Sequence, residues 1–374
     1  MDKVGIHVSD MNTFKSCRRQ WDFTSLLRQG MEPKRPYKPF VMGRAVHWCL
    51  QQYYDLGHAL APESFLDEYL IVERRNNPEI VEYSDVMESI ELVRGMLEGY
   101  GKYQSTQQGT FSDGNLTYIA LETSFKIPMI NPNTGRRSPR AVLEGRFDGL
   151  VRRKDDNSVW VIEHKTAADI GRLVNTLFNV EQAGVYSIAA EYLFKEPISG
   201  VIYNIMAKKV PTKPRLLKSG TLSLDKGINT TFATYMSAIY EAHGENVDEE
   251  FVRMNYGAHL RWLYSENRDA KFFLRVPVVR SPKSLDNTRR RIWAVTHEML
   301  SPKTVCYASA SWYTCTFCQF KLPCLSLENG NDIGPIMEAE YRPRRIWDDE
   351  EGEENSTTTE SNGGNDATGE YFIR

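Results

Sequence analysis

Asp148, Glu163 and Lys165 stand in two short stretches, residues 143–151 and 159–166, separated by Lys154-Asp155-Asp156-Asn157-Ser158. β-Branched and aromatic residues dominate both stretches and the intervening five have turn chemistry, so the segment reads as an antiparallel hairpin. Side chains two apart on a strand share a face, which puts Glu163 and Lys165 together. With the turn centred on Asp155-Asp156, Asp148 and Glu163 are directly opposed. Opposed side chains have Cβ atoms roughly 4.5–5.5 Å apart, so two carboxylates there repel unless a cation lies between them. A surface ribbon would leave these charges solvated. The flanking Phe147, Trp160, Val161 and Ile162 point instead to a buried sheet, where unpaired charge is costly. The chemistry expected is that of a divalent metal.

A second set of reactive residues is Cys315-Thr-Phe-Cys318-Gln-Phe-Lys-Leu-Pro-Cys324. Three thiolates at these spacings leave a tetrahedral or cluster site one ligand short. Cys17 can supply the fourth; Cys306 is close enough in sequence to substitute, and Cys49 reads as a core thiol.

Asp148 followed by Glu163-x-Lys165 resembles the PD-(D/E)XK nucleases, in their RecB-like exonuclease branch. Two further motifs of that branch are present in order, Gly43-Arg-Ala-Val-His47 before the hairpin and Gln182-Ala-Gly-Val-Tyr186 after it. The proline of the superfamily's name is missing, since Phe147 precedes Asp148. One distant N-terminal cysteine plus the C-terminal three resembles the iron-sulfur nucleases of the AddB type and the CRISPR-associated RecB-like type. The five motifs span most of residues 9–330.

The resemblance implies an α/β fold, a mixed central β-sheet flanked by helices. Residues 1–346 would form the nuclease domain, with a helical insertion at about 60–105 and a cysteine lobe at about 305–330 joined to Cys17. It implies a metal-dependent DNA exonuclease of recombination, repair or replication. His47, Asp148, Glu163 and the backbone carbonyl of His164 would bind Mg2+ or Mn2+, and Lys165 would orient the attacking water or stabilise developing charge. Gln182 and Tyr186 would position the DNA strand, and Cys17, Cys315, Cys318 and Cys324 would hold a [4Fe-4S] cluster. Zinc also accepts four thiolates and stays the chemical competitor. Two other readings stay open: a non-catalytic iron-sulfur DNA-binding scaffold for recombination, and an endonuclease that trims DNA, as in CRISPR spacer processing.

The elements that must position these groups are legible as patterns. Met11, Phe14, Cys17 and Trp21 recur at helical spacing over residues 8–21, with Ser9 or Asp10 as cap. Helices are expected over 40–54, carrying Gly43 and His47, over 63–103 as a pair, over 176–194, carrying Gln182 and Tyr186, and within 225–266. Strands are expected over 116–128 and 198–207. Residues 208–218 form a proline-interrupted loop with five bases and no acid, suited to follow a phosphate backbone. A second basic run, 280–291, leads into a helix ending near Pro302.

The 374 residues carry a net charge of -3, with nine acids and one base within 348–374. The preceding residues therefore hold 45 bases against 40 acids, a mildly cationic body compatible with a polyanionic partner. The segment 347–374 is expected to be a disordered acidic tail. No apolar run suggests a membrane span or signal peptide, and a cytoplasmic location is expected. The chain has no Gly-x-x-x-x-Gly-Lys-Ser/Thr loop, so a helicase or recombination protein would be supplied in trans.

Overall fold

The computed structural model describes residues 3–344; the acidic segment expected as a tail lies outside the described residues. Six strands form one mixed sheet: β1 (Val4–His7), β3 (Leu116–Ile130), β4 (Arg137–Arg153), β5 (Val159–Ala167), β6 (Ile198–Ala207) and β7 (Phe273–Val278). β2 (Met31–Pro33) and β8 (Tyr341–Pro343) pair as a separate antiparallel ribbon.

Strand β4 organises the sheet. One of its edges is taken by β3 along nearly its whole length. The other is shared: β1 pairs with it in parallel from Val4↔Ala141 to His7↔Glu144, and β5 pairs antiparallel from Gly149↔Ile162 to Arg152↔Val159. That hairpin register is the one its turn predicts. Between the two partners, residues 145–148 have no ladder on this edge. Past Ile162, β5 leaves β4 and continues beside β6 alone, from Glu163↔Tyr203 to Ala167↔Ala207. The sheet therefore forks at Asp148.

Helices cover both faces. On one, α1 (Val8–Ser16), α7 (Glu181–Phe194) and α10 (Pro282–Met299) bury Met11, Phe14, Val185 and Ile292 against Phe147, Val161 and Tyr203. On the other, α3 (Lys38–Asp55), α4 (Leu66–Asn76) and α5 (Ser84–Thr106) share a core with Met206 and Phe273. This two-sided burial explains why β6 reads as a nearly continuous apolar run. α8 (Phe232–His243) and α9 (Glu249–Ser265) pack together around Tyr235 and Tyr256. The C-terminal lobe contains α11 (Trp312–Thr316), α12 (Lys321–Glu328) and α13 (Gly334–Glu340). Phe320 and Tyr341 there stack on each other and pack with Phe23 of α2 (Arg18–Thr24). The expected mixed α/β architecture is the one found.

Three local expectations are corrected. The helix expected over residues 8–21 divides at Cys17, whose backbone is extended (φ -157°, ψ 110°), and its N-cap is His7 rather than Ser9 or Asp10. The helix expected over 176–194 is two, α6 (Ile170–Leu177) and α7. At their junction the carbonyls of Phe178 and Val180 accept from the Arg280 guanidinium at 2.5 and 2.9 Å, a partner about a hundred residues away that no local pattern announces. β7 was not anticipated either.

β7 contributes Arg275, whose guanidinium is buried behind the fork. It donates to Asp113 at 2.5 Å, to the hydroxyls of Tyr54 (α3) and Tyr100 (α5) at 2.9 and 3.0 Å, and to the carbonyl of Phe111 at 2.6 Å. One cation thus fastens both helices to the sheet. Removing one member of a buried ion pair leaves the other charge unsatisfied, at a cost of about 3–5 kcal/mol. Arg275→Met should lower unfolding stability by that amount in urea titration; a loss below about 1 kcal/mol would show that this network does not hold the helical layer.

Candidate active site

At the fork the Asp148 side chain turns from the open edge of β4 toward β5, where one oxygen accepts the backbone N–H of His164 at 2.6 Å. Its other oxygen lies 3.2 Å from Nδ1 of His47, carried on α3. On the opposite edge, β3 pairs Leu121 with Gly149 and Thr123 with Phe147, but Glu122, which would face Asp148, is left out of the ladder with φ +39°. A left-handed conformation is unusual for a side chain of this size and marks a position held by its surroundings. Donor atoms of His47, Glu122 and Asp148 all lie within 4.8 Å of one another. Glu122 did not enter the sequence reading.

Glu163 and Lys165 share the face of β5 that meets α7. Glu163 is 3% exposed, and its Oε1 accepts from Lys165 Nζ at 2.5 Å and from Gln182 Nε2 at 2.9 Å. Its Oε2 is buried with no hydrogen-bond partner. Gln182 also meets the Tyr186 hydroxyl at 2.9 Å, and the Tyr186 ring sits edge-on to Phe147. The two motif residues are thus together, as expected, but Tyr186 is buried in the core and acts on Glu163 through Gln182.

His164 faces the other way. Its Nδ1 lies 2.9 Å from Asn204 Nδ2 and its ring stacks on Tyr54, so the side chain is committed to the Arg275 network while its backbone N–H holds Asp148.

Gly43 lies one turn before His47, and a Cβ placed there would meet nothing within 4 Å. Packing does not require a glycine at this point. The motif glycine borders open space beside the histidine.

The electrostatics follow from burying several acids together. Burial and the Asp148 charge push the Glu163 carboxyl up to about 7, and the same two causes push Glu122 up to about 7. Burial works against the His47 imidazolium, but Asp148 outweighs it by charge and hydrogen bond, raising His47 to about 9. Burial also works against the Asp148 carboxylate, yet His47, His164 and Lys165 hold it well below the usual range. Burial alone dominates at His164, pushed down to about 3 and therefore neutral. Lys165 stays cationic: the charges of Glu163 and Asp148 overcome its burial.

This donor set, two carboxylates and an imidazole with an orphaned carboxylate oxygen nearby, fits a hard divalent cation. A family model described as the PD-(D/E)XK nuclease superfamily matches residues 6–324, nearly all of the described chain. The chain belongs to the PD-(D/E)XK nuclease superfamily. Membership indicates a nuclease that uses divalent metal and acts on DNA. A search of curated proteins finds no match. Among the described residues no helix is long and apolar enough to cross a membrane.

In this PD-(D/E)XK chain the four motif cysteines converge. Cys17, at the break between α1 and α2, lines one cavity with Cys315, Cys318 and Cys324. The extended backbone at Cys17 is what separates the two short helices there. Burial raises the thiols of Cys318 and Cys324. Cys306 does not line the cavity, and Cys49 is a buried thiol of α3.

Coordination through an imidazole nitrogen requires the neutral ring, and without a bound cation His47 holds its proton to about pH 9. Metal binding near pH 7.5 should therefore release about one proton from His47 and a further fraction from Glu122 and Glu163, and affinity should rise with pH until about 9 and flatten above. Calorimetric titration with Mn2+ in two buffers of different ionisation enthalpy reads this directly. Heats independent of buffer would mean that His47 is not a ligand.

Proposed function

We propose that the chain is a DNA exonuclease of the RecB-like branch, built as one nuclease domain over residues 1–346 whose ends are joined by a [4Fe-4S] cluster. The observation that carries the catalytic part is the convergence of His47, Glu122 and Asp148 at the fork, with Glu163 and Lys165 beside them. His47, Asp148 and Glu163, joined by Glu122, would hold Mg2+ or Mn2+. When bound, such a cation activates water and neutralises charge on the scissile phosphate. The protein's own residues do the rest. Lys165, a compact cation whose partner is a carboxylate of the site, is placed to orient the attacking water or to meet developing negative charge. Gln182, braced by Tyr186, holds one oxygen of Glu163 and leaves the other unpartnered. The His164 N–H fixes Asp148 in the same way.

The exonuclease assignment rests on the ordered Gly43…His47 and Gln182…Tyr186 motifs, both of which the fold brings to this site. Work in recombination, repair or replication, with a helicase or recombination protein in trans, is the setting that branch suggests. The cluster assignment is supported by the four cysteines around a cavity of about 70 Å3. Zinc accepts the same four thiolates, and metal content separates the two.

Glu163→Gln and Lys165→Ala should each lower Mn2+-dependent cleavage by about a hundredfold or more while the protein stays folded. Linear single-stranded DNA should be consumed while a circle of the same sequence survives; cutting of the circle would make the enzyme an endonuclease. Protein purified without oxygen should be brown, with about four irons per chain, and Cys17→Ala should lose both colour and iron. Stoichiometric zinc without iron would replace the cluster by a four-thiolate zinc site.

A further inference from the structure

The helix that carries His47 also carries Phe40 and Arg44, at positions i, i+4 and i+7 of one stripe. Phe40 is a large aromatic side chain left 59% exposed, held edge-on against Tyr37 at 5.0 Å. Both line a groove of about 280 Å3 between the start of α3 and the C-terminal lobe. Its other walls carry Arg35, Arg342 and Arg344, and the acids on the lining are Asp10 and Glu32. Arg342 pairs with Glu32 at 2.8 Å, Arg44 with Glu73 at 2.7 Å and Arg35 with Asp85 at 3.0 Å. Arg344 is held by its backbone, whose N–H donates to Gly30, leaving its side chain exposed at the groove's lip.

We propose that this groove binds a single DNA strand and leads it to the fork. An exposed ring beside a surface guanidinium is a combination that holds unpaired bases without reading their sequence: the ring stacks, and Arg344 at the lip meets the backbone. The stripe sets the distance. Seven residues of α-helix advance about 10 Å, so a base on Phe40 lies a nucleotide or two from a phosphate at His47. Gly43 lies between them on the helix, with nothing within 4 Å of where a Cβ would stand. The groove is walled on one side by Gln319 and Phe320, next to Cys318, so it spans the nuclease core and the cysteine lobe. Its occupant deepens the nuclease reading and rests on it for biological sense.

Binding can be measured apart from cleavage, by fluorescence anisotropy of a labelled oligothymidylate with full-length protein and no added divalent metal. Phe40→Ala should weaken binding about fivefold or more. Arg344→Glu should weaken it and make the slope of log affinity against log salt less negative by about 0.7, as for the loss of one phosphate contact. Both variants should keep the wild-type melting temperature and Mn2+ affinity, since neither side chain touches the metal donors. Unchanged affinity and salt slope in both variants would overturn the proposal, and so would an equal loss for duplex of the same length, which has no unpaired base to stack. Absence of Mn2+-dependent cleavage by the wild type would remove the nuclease reading and leave this binding result standing on its own.

Discussion

Three carboxylates are drawn together where β4 loses its ladder partner, and their mutual repulsion sets the terms for the site. Asp148 stays ionised because His47 and Lys165 surround it, and its charge then pushes Glu122 and Glu163 up to about 7. Three cations, His47, Lys165 and Arg146, face the three acids, and His47 must give up its proton for a metal to bind there. Proteins bury such groups rarely, because charge removed from water costs several kcal/mol unless paired. The surrounding fold supplies what keeps the cluster in place: the His164 N–H on Asp148, Gln182 on Glu163, and Arg146 on Glu122 at 2.9 Å.

The fork is the geometric half of the same constraint. A continuous ladder between β4 and β5 would have placed Asp148 and Glu163 face to face and bound their backbones to each other. Divergence past Ile162 frees the N–H of His164 to hold a side chain instead, and leaves β5 beside β6, buried on both faces. From β5, odd-numbered side chains reach α7 and His164 reaches the opposite layer. One strand thus connects the reactive carboxylate to two separate sets of supports.

Much of this was legible because it is local. The turn at residues 154–158 fixes the hairpin register, and the one-in-four spacing of Gly43 with His47 and of Gln182 with Tyr186 needs only helices. Glu122 was hidden by register: the β3–β4 ladder shifts between Pro128 and Ile130 and again between Tyr118 and Ala120, and no turn rule fixes such irregularities. The helix breaks at Cys17 and at Asn179-Val180 were hidden for a related reason. Each is held by a partner far along the chain, the cysteine lobe in one case and Arg280 in the other. Arg275 sat in a six-residue strand too short to announce itself, yet it fastens α3, and with it His47, to the sheet.

The claim on which the account turns is that the fork holds a metal ion through this particular group of side chains. Crystals soaked in Mn2+ and measured above the manganese absorption edge would locate the ion by its anomalous signal. The account predicts a strong peak between His47, Glu122 and Asp148, within bonding distance of at least two of them. A strong peak elsewhere with none at the fork, in crystals of active enzyme, would contradict it.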